Sequence, residues 1–140
     1  MALSVTLSPN EFARVAAAAY EGKAIRVSLA SVGTTGFTAS STVSQWDSVK
    51  ISGNGYADFS TTVATGGYDA TDGRYELGAQ AGANTFVDAT FTASGGSLNY
   101  DRVYVVLGTS NLHSVLIESP AATVASGSSI TYRIQLAVGA

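Results

Sequence analysis

Two stretches decide the fold class: Asp101-Arg102-Val103-Tyr104-Val105-Val106-Leu107 and Ile130-Thr131-Tyr132-Arg133-Ile134-Gln135-Leu136-Ala137-Val138. The first is a nearly continuous run of β-branched and aromatic residues, the signature of a central strand covered on both faces. In the second, Ile130, Tyr132, Ile134, Leu136 and Val138 alternate with Thr131, Arg133 and Gln135, which is the period of a strand with one face buried. The expected core therefore includes Val103, Val105, Leu107, Ile130, Ile134 and Leu136.

Working outward, the same period of two recurs in Ile25, Val27 and Leu29, set against Arg26 and Ser28. Further strand signals lie in 56–63, 74–80 and 85–92, and Ser114–Glu118 reads as an apolar strand broken by Pro120. Asn54-Gly55, Gly66-Gly67, Asp72-Gly73, Gly95-Gly96 and Ser126-Gly127 are turn signals between them. Asn111-Leu112-His113 reads as a hairpin connection. Helical spacing occurs once, over about residues 9–21, where Phe12, Val15, Ala16, Ala19 and Tyr20 share a face. Ser8 suits its N-cap, Pro9 its first position and Gly22 its end. Residues 31–55, rich in Ser, Thr and Gly around Trp46, read as a long excursion with one short strand at most. Seven or eight short strands and one N-terminal helix describe a single antiparallel β-sandwich domain spanning 1–140, with jelly-roll and Ig-like wiring both open.

Composition narrows function. The 140 residues carry seven basic and ten acidic groups, and a net charge of −3 supplies no electrostatic footprint for nucleic acid or anionic lipid. No stretch has the length of a membrane-spanning apolar helix, and the start of the chain lacks the pattern of a signal peptide. A charged fraction of 12% with a mean hydropathy of +0.22 argues against disorder. The absence of cysteine and the single histidine, His113, exclude thiolate chemistry, Cys-type zinc sites and two-histidine metal sites.

The constellations that remain are weak as chemistry. Asp69 and Asp72, followed by Gly73, offer oxygen ligands to calcium, but their spacing departs from an EF-hand loop and Asp-Gly is routine turn chemistry. His113, Ser114, Asp101 and Glu118 form a nucleophile, base and acid set on paper. Adjacent strand residues point to opposite faces, however, and no nucleophile elbow is present. The glycine pairs lack the context of a phosphate loop. The expectation is a chain without catalytic, cofactor or metal residues. Tyr56, Tyr68, Tyr75 and Tyr100 sit beside turns, where tyrosine serves equally as an interface anchor, a sugar-stacking platform or a half-buried strand residue.

The pattern over about residues 9–138 resembles a group of small β-sandwich virion proteins of tailed bacteriophages. A short helix leads into Ala24-Ile25-Arg26-Val27-Ser28-Leu29-Ala30, and a loop closes with Gly55-Tyr56-Ala57. The Asp101–Leu107 strand follows, and a last hairpin turns at Ala125-Ser126-Gly127-Ser128-Ser129. Asp58 stands where a basic residue often follows Gly-Tyr-Ala in similar proteins. The resemblance implies a non-enzymatic virion component, foremost a capsid decoration (cement) protein bound to the major capsid protein lattice in many copies. The alternative is a tail, fibre or baseplate component that binds a host-surface glycan or another virion protein, and a sandwich hydrolase with an acidic pair ranks last. The expected partners are the major capsid protein or other virion proteins and further copies of the chain, with neither nucleic acid nor membrane. The expected contact surface is the 31–55 excursion with the N-terminal helix, and its candidate residues are Trp46, Tyr56, Phe12 and Tyr20. Trp46 has two readings: anchor for a partner, or cap on the domain's own core.

Overall fold

A computed structural model of the chain describes residues 8–33, 37, 38, 40–64, 66–69, 74–77 and 86–139. It is mainly β, built of antiparallel sheets. The helix α1 spans Pro9–Tyr20, and the strands are β1 (Ala24–Ala30), β2 (Phe59–Thr62), β3 (Gly67–Asp69), β4 (Arg74–Leu77), β5 (Phe86–Thr92), β6 (Leu98–Leu107), β7 (Asn111–Val124) and β8 (Ser129–Gly139). One sheet has the order β2-β1-β6-β7 and the other β3-β4-β8-β5.

The chain divides into two compact units: residues 1–23, 62–87 and 133–140 form one, and 24–61 with 88–132 form the other. In the first unit α1 packs on β3 and β4. The Ser8 hydroxyl caps α1 by accepting from the Glu11 amide at 3.3 Å, and Pro9 opens the helix, as the sequence leads one to expect. The chain leaves it through Glu21, with Gly22 at φ 72°.

The second unit is organised by β6. Its Val103 and Val105 pair with Leu29 and Val27 of β1, and all four are buried. Because side chains alternate, Tyr104 and Val106 fall on the opposite face, level with Ser28 and Arg26. Both faces of β6 are covered, so the apolar run in 103–107 follows from its place in the sheet. Leu107 is only half-buried, as are Ile130 and Ile134, while the side chain of Leu136 lies outside the described residues.

Three local expectations need correction. The 31–55 segment is no extended loop: Val43–Ser48 forms a helix, α2, and Lys50 bridges Ala30 to add a short edge to β1. The β6–β7 connection is the turn at 108–110, with Asn111-Leu112-His113 already inside β7. Pro120 does not end the strand either. β7 continues to Val124, and its register against β6 shifts between Arg102↔Ile117 and Tyr100↔Ala122, so the stretch around Pro120 bows out where an imino acid has no ladder bond to lose.

Gly55 is one position where only glycine serves. Its φ of 75° disfavours a side chain, and a Cβ there would lie 2.9 Å from Ser94 Cβ. The turn is held to the 93–97 segment by Ser94 N–H donating to the Asn54 carbonyl at 2.8 Å and by Asn54 Nδ2 donating to the Ser97 carbonyl at 2.8 Å.

Candidate functional site

A dense polar cluster of the second unit lies on the sheet face that carries Arg26, Ser28 and Tyr104. The Arg26 guanidinium donates to both Asp47 oxygens, at 2.9 and 3.2 Å, and lies 3.4 Å from Asp58 Oδ2. Lys50 Nζ donates to Asp58 Oδ2 at 2.8 Å, and the Tyr56 hydroxyl donates to Asp58 Oδ1 at 2.6 Å. That hydroxyl in turn accepts from the Leu29 amide at 2.9 Å. Asp47 arrives on α2, whose start is fixed by a capping box. The Thr42 hydroxyl accepts from the Gln45 amide, and the Gln45 side chain accepts from the Thr42 amide at 2.8 Å.

Electrostatics hold this cluster ionised. Burial alone would raise Asp58, but Lys50, Tyr56 and Ser28 outweigh it and keep its carboxyl below the ordinary 3.8. Asp47 likewise resists burial and is held low by Arg26 and the Tyr104 hydroxyl. A general acid needs the reverse, a carboxyl kept protonated near neutral pH. Two carboxylates clamped by an arginine and a lysine therefore act as a strap that fastens 42–58 to the sheet.

Under the strap sits a small apolar core of Ala30, Val32, Val43, Trp46, Tyr104 and Val106, flanked by Phe37, Val49, Leu112 and Val115. Trp46 is fully buried, with its ring 5.4 Å from Tyr104 and 5.5 Å from Phe37. Its indole N–H donates to the Thr38 carbonyl at 3.3 Å. Of the two readings of Trp46, the structure places it in the second, as a plug of the chain's own core, and it presents no ring to a partner or a sugar. The length of 31–55 is thereby explained without an external surface: the segment is a lid with its own helix and core.

The remaining expected contact residues are divided between the two units. Tyr56 is tied into the strap and stacks on Phe91 at 6.1 Å. Tyr20 is half-buried in α1 of the other unit, and the side chain of Phe12 lies outside the described residues. Asp72 and Gly73 also fall outside them, as does the Asp69 side chain, so the calcium reading receives no geometry.

The paper triad comes apart. His113 Nδ1 lies 3.2 Å from Ser114 Oγ, but both oxygens of Asp101 are occupied, accepting from the Val32 and Gly33 amides at 2.9 and 2.7 Å. Glu118 accepts from the Tyr132 hydroxyl at 2.6 Å. His113 occupies a bulge, since Val105 pairs with Ser114 and Val106 with Leu112. Among the described residues no group of three or more His, Cys, Asp or Glu side chains is placed to hold a metal ion.

A feature absent from the expected contact surface is the outer edge of β7. Leu116 and Ile117 are two of the three exposed large hydrophobic side chains among the described residues, at 49% and 61%. The signal lay in the apolar Ser114–Glu118 run itself, with no lysine or arginine to guard it. The chain matches no protein-family model, no curated protein and no solved structure.

Proposed function

We propose that the chain is a non-enzymatic structural component of a tailed-phage virion, a capsid decoration protein folded as an antiparallel β-sandwich. The sandwich reading is supported within the second unit, where Tyr132 of β8 meets Tyr100 of β6 and Glu118 of β7, partners drawn from two different sheets. The observation that carries the functional reading is the strap. Its arginine, lysine and two carboxylates are spent on one another, which makes a rigid scaffold and leaves that cluster without a reacting group. Resemblance supplies the virion setting and the many-copy role.

The test is localisation. Capsids of the phage that encodes the chain, purified without tails, carry it in many copies per shell, and cryo-EM density for it sits on the capsid lattice. Recovery on tails alone overturns the decoration role and favours the tail or baseplate alternative.

A further inference from the structure

We propose that β7 is a self-association edge, along which two copies of this chain pair antiparallel about a twofold axis at Leu116. The proposal stands independently of the virion reading.

β7 is the outermost strand of its sheet, and among the described residues nothing pairs with its far side. Leu116 lies opposite Val103 and Ile117 opposite Arg102, so the two exposed side chains project to opposite faces of the sheet. A partner laid on one face would leave the other apolar group in water. A strand added along the edge covers both, because its own side chains alternate between the same two faces.

The stretch lacks the devices that protect edges. It has no basic residue between Asn111 and Val124 other than His113, and Glu118 is engaged by the Tyr132 hydroxyl. Pro120, with no N–H, limits pairing to the segment before it.

The occupant follows from matching the strand against itself. A twofold axis normal to the sheet must pass through a residue, since only then do facing side chains share a face. An axis at Val115 sets Leu116 against Ser114 and Ile117 against His113. An axis at Ile117 sets Leu116 against Glu118. Only the axis at Leu116 matches throughout: Leu116 meets Leu116 of the second copy, Val115 meets Ile117 on both sides, and Ser114 meets Glu118. Hydroxyl faces carboxylate, apolar faces apolar, and no charge meets its like. This self-complementarity favours a second copy over an unrelated strand.

The 140 residues are cysteine-free, so a single introduced cysteine reports the register. In light scattering after size exclusion, the wild type is expected to show twice the monomer mass at high concentration. Ile117→Lys, at a mostly exposed site, is expected to run as a monomer with unchanged circular dichroism. Under mild oxidation Leu116→Cys is expected to form a disulfide-linked dimer, because directly opposed strand residues stand within disulfide reach. Ile117→Cys, facing Val115, is expected to cross-link far less. A wild type monomeric at every concentration, a dimer indifferent to Ile117→Lys, or equal cross-linking by both cysteine variants would overturn the proposal.

Discussion

The Tyr104 hydroxyl donates a 2.6 Å hydrogen bond to Asp47 Oδ1, the oxygen that Arg26 also engages at 2.9 Å, and the Arg26 guanidinium lies 5.7 Å from the centre of the Tyr104 ring. One tyrosine on the central strand thus fixes a helix carboxylate through its hydroxyl and supports a cation through its face. The same ring stacks on Trp46. Polar strap and apolar plug meet at this residue, so the 31–55 segment and the sheet are expected to fold as one piece.

Trp46→Ala tests that coupling. Removing a fully buried tryptophan is expected to cost about 3–5 kcal/mol, through lost transfer energy and the cavity left between Phe37, Val43 and Tyr104. Urea denaturation followed by circular dichroism measures it. A loss under about 1 kcal/mol would mean that the ring is not part of the core.

The strap predicts the acid limb of stability. Asp47 and Asp58 are both held below the ordinary 3.8, so the unfolded chain takes up protons first as pH falls. Their contribution is complete above that value and lost as pH drops through the lower folded values. Melting temperature is therefore expected to be flat toward neutrality and to fall below about pH 4. In Asp58→Asn the protein is expected to be less stable near neutral pH and to lose less on acidification.

Tyrosine ionisation gives the opposite limb. Burial, reinforced by carboxylate partners, raises Tyr56 and Tyr104 above the ordinary 10, and Tyr132 is raised by burial, Glu118 and Tyr100. A raised acid contributes stability below its unfolded pKa and loses it as pH rises toward the folded one. Ultraviolet titration is expected to show these phenols ionising late, together with unfolding, while Tyr104→Phe removes one of the late groups. Simple titration of every tyrosine near its ordinary value would contradict the hydrogen bonds of both clusters.

Asp101 predicts a local effect. Its carboxylate accepts two backbone amides, from Val32 and Gly33, at the point where the chain leaves β1. Asp101→Ala removes the side-chain acceptor of the Val32 and Gly33 amides and is expected to cost about 1–3 kcal/mol. Hydrogen exchange at the Val32 and Gly33 amides should accelerate most.

Strands with strong alternation were legible from residues alone. β1 and β8 fall where the period of two places them, β6 where the continuous apolar run places it, and α1 begins at the Ser8-Pro9 signal. The lid over the sheet has no such period, because small polar residues around one tryptophan carry no regular apolar spacing. Its own signal was present: Thr42-Val43-Ser44-Gln45 has the spacing of a capping box, and that box starts α2. Arg26 and Asp58 read as the polar side of a strand and a departure from a pattern. Their roles depend on residues distant in sequence, which spacing does not bring together.

The Tyr100, Tyr132 and Glu118 chain makes a directional prediction. Tyr132 donates its hydroxyl proton to Glu118 at 2.6 Å, so the 2.6 Å contact with Tyr100 is donated by Tyr100. Tyr100→Phe removes only the first link and leaves Tyr132 bonded to the carboxylate, a change expected to cost about 1 kcal/mol. Tyr132→Phe removes both links at once: the nearly buried Tyr100 loses its acceptor, and Glu118 loses the donor beside it. Its expected cost is higher, about 2–3 kcal/mol, because the groups left behind keep their desolvation without a partner. The double variant is then expected to be no less stable than Tyr132→Phe alone, since the orphaned Tyr100 hydroxyl goes with it. Denaturation of the two single variants and the double variant decides this, and equal, additive losses would show that the three groups do not act as one chain.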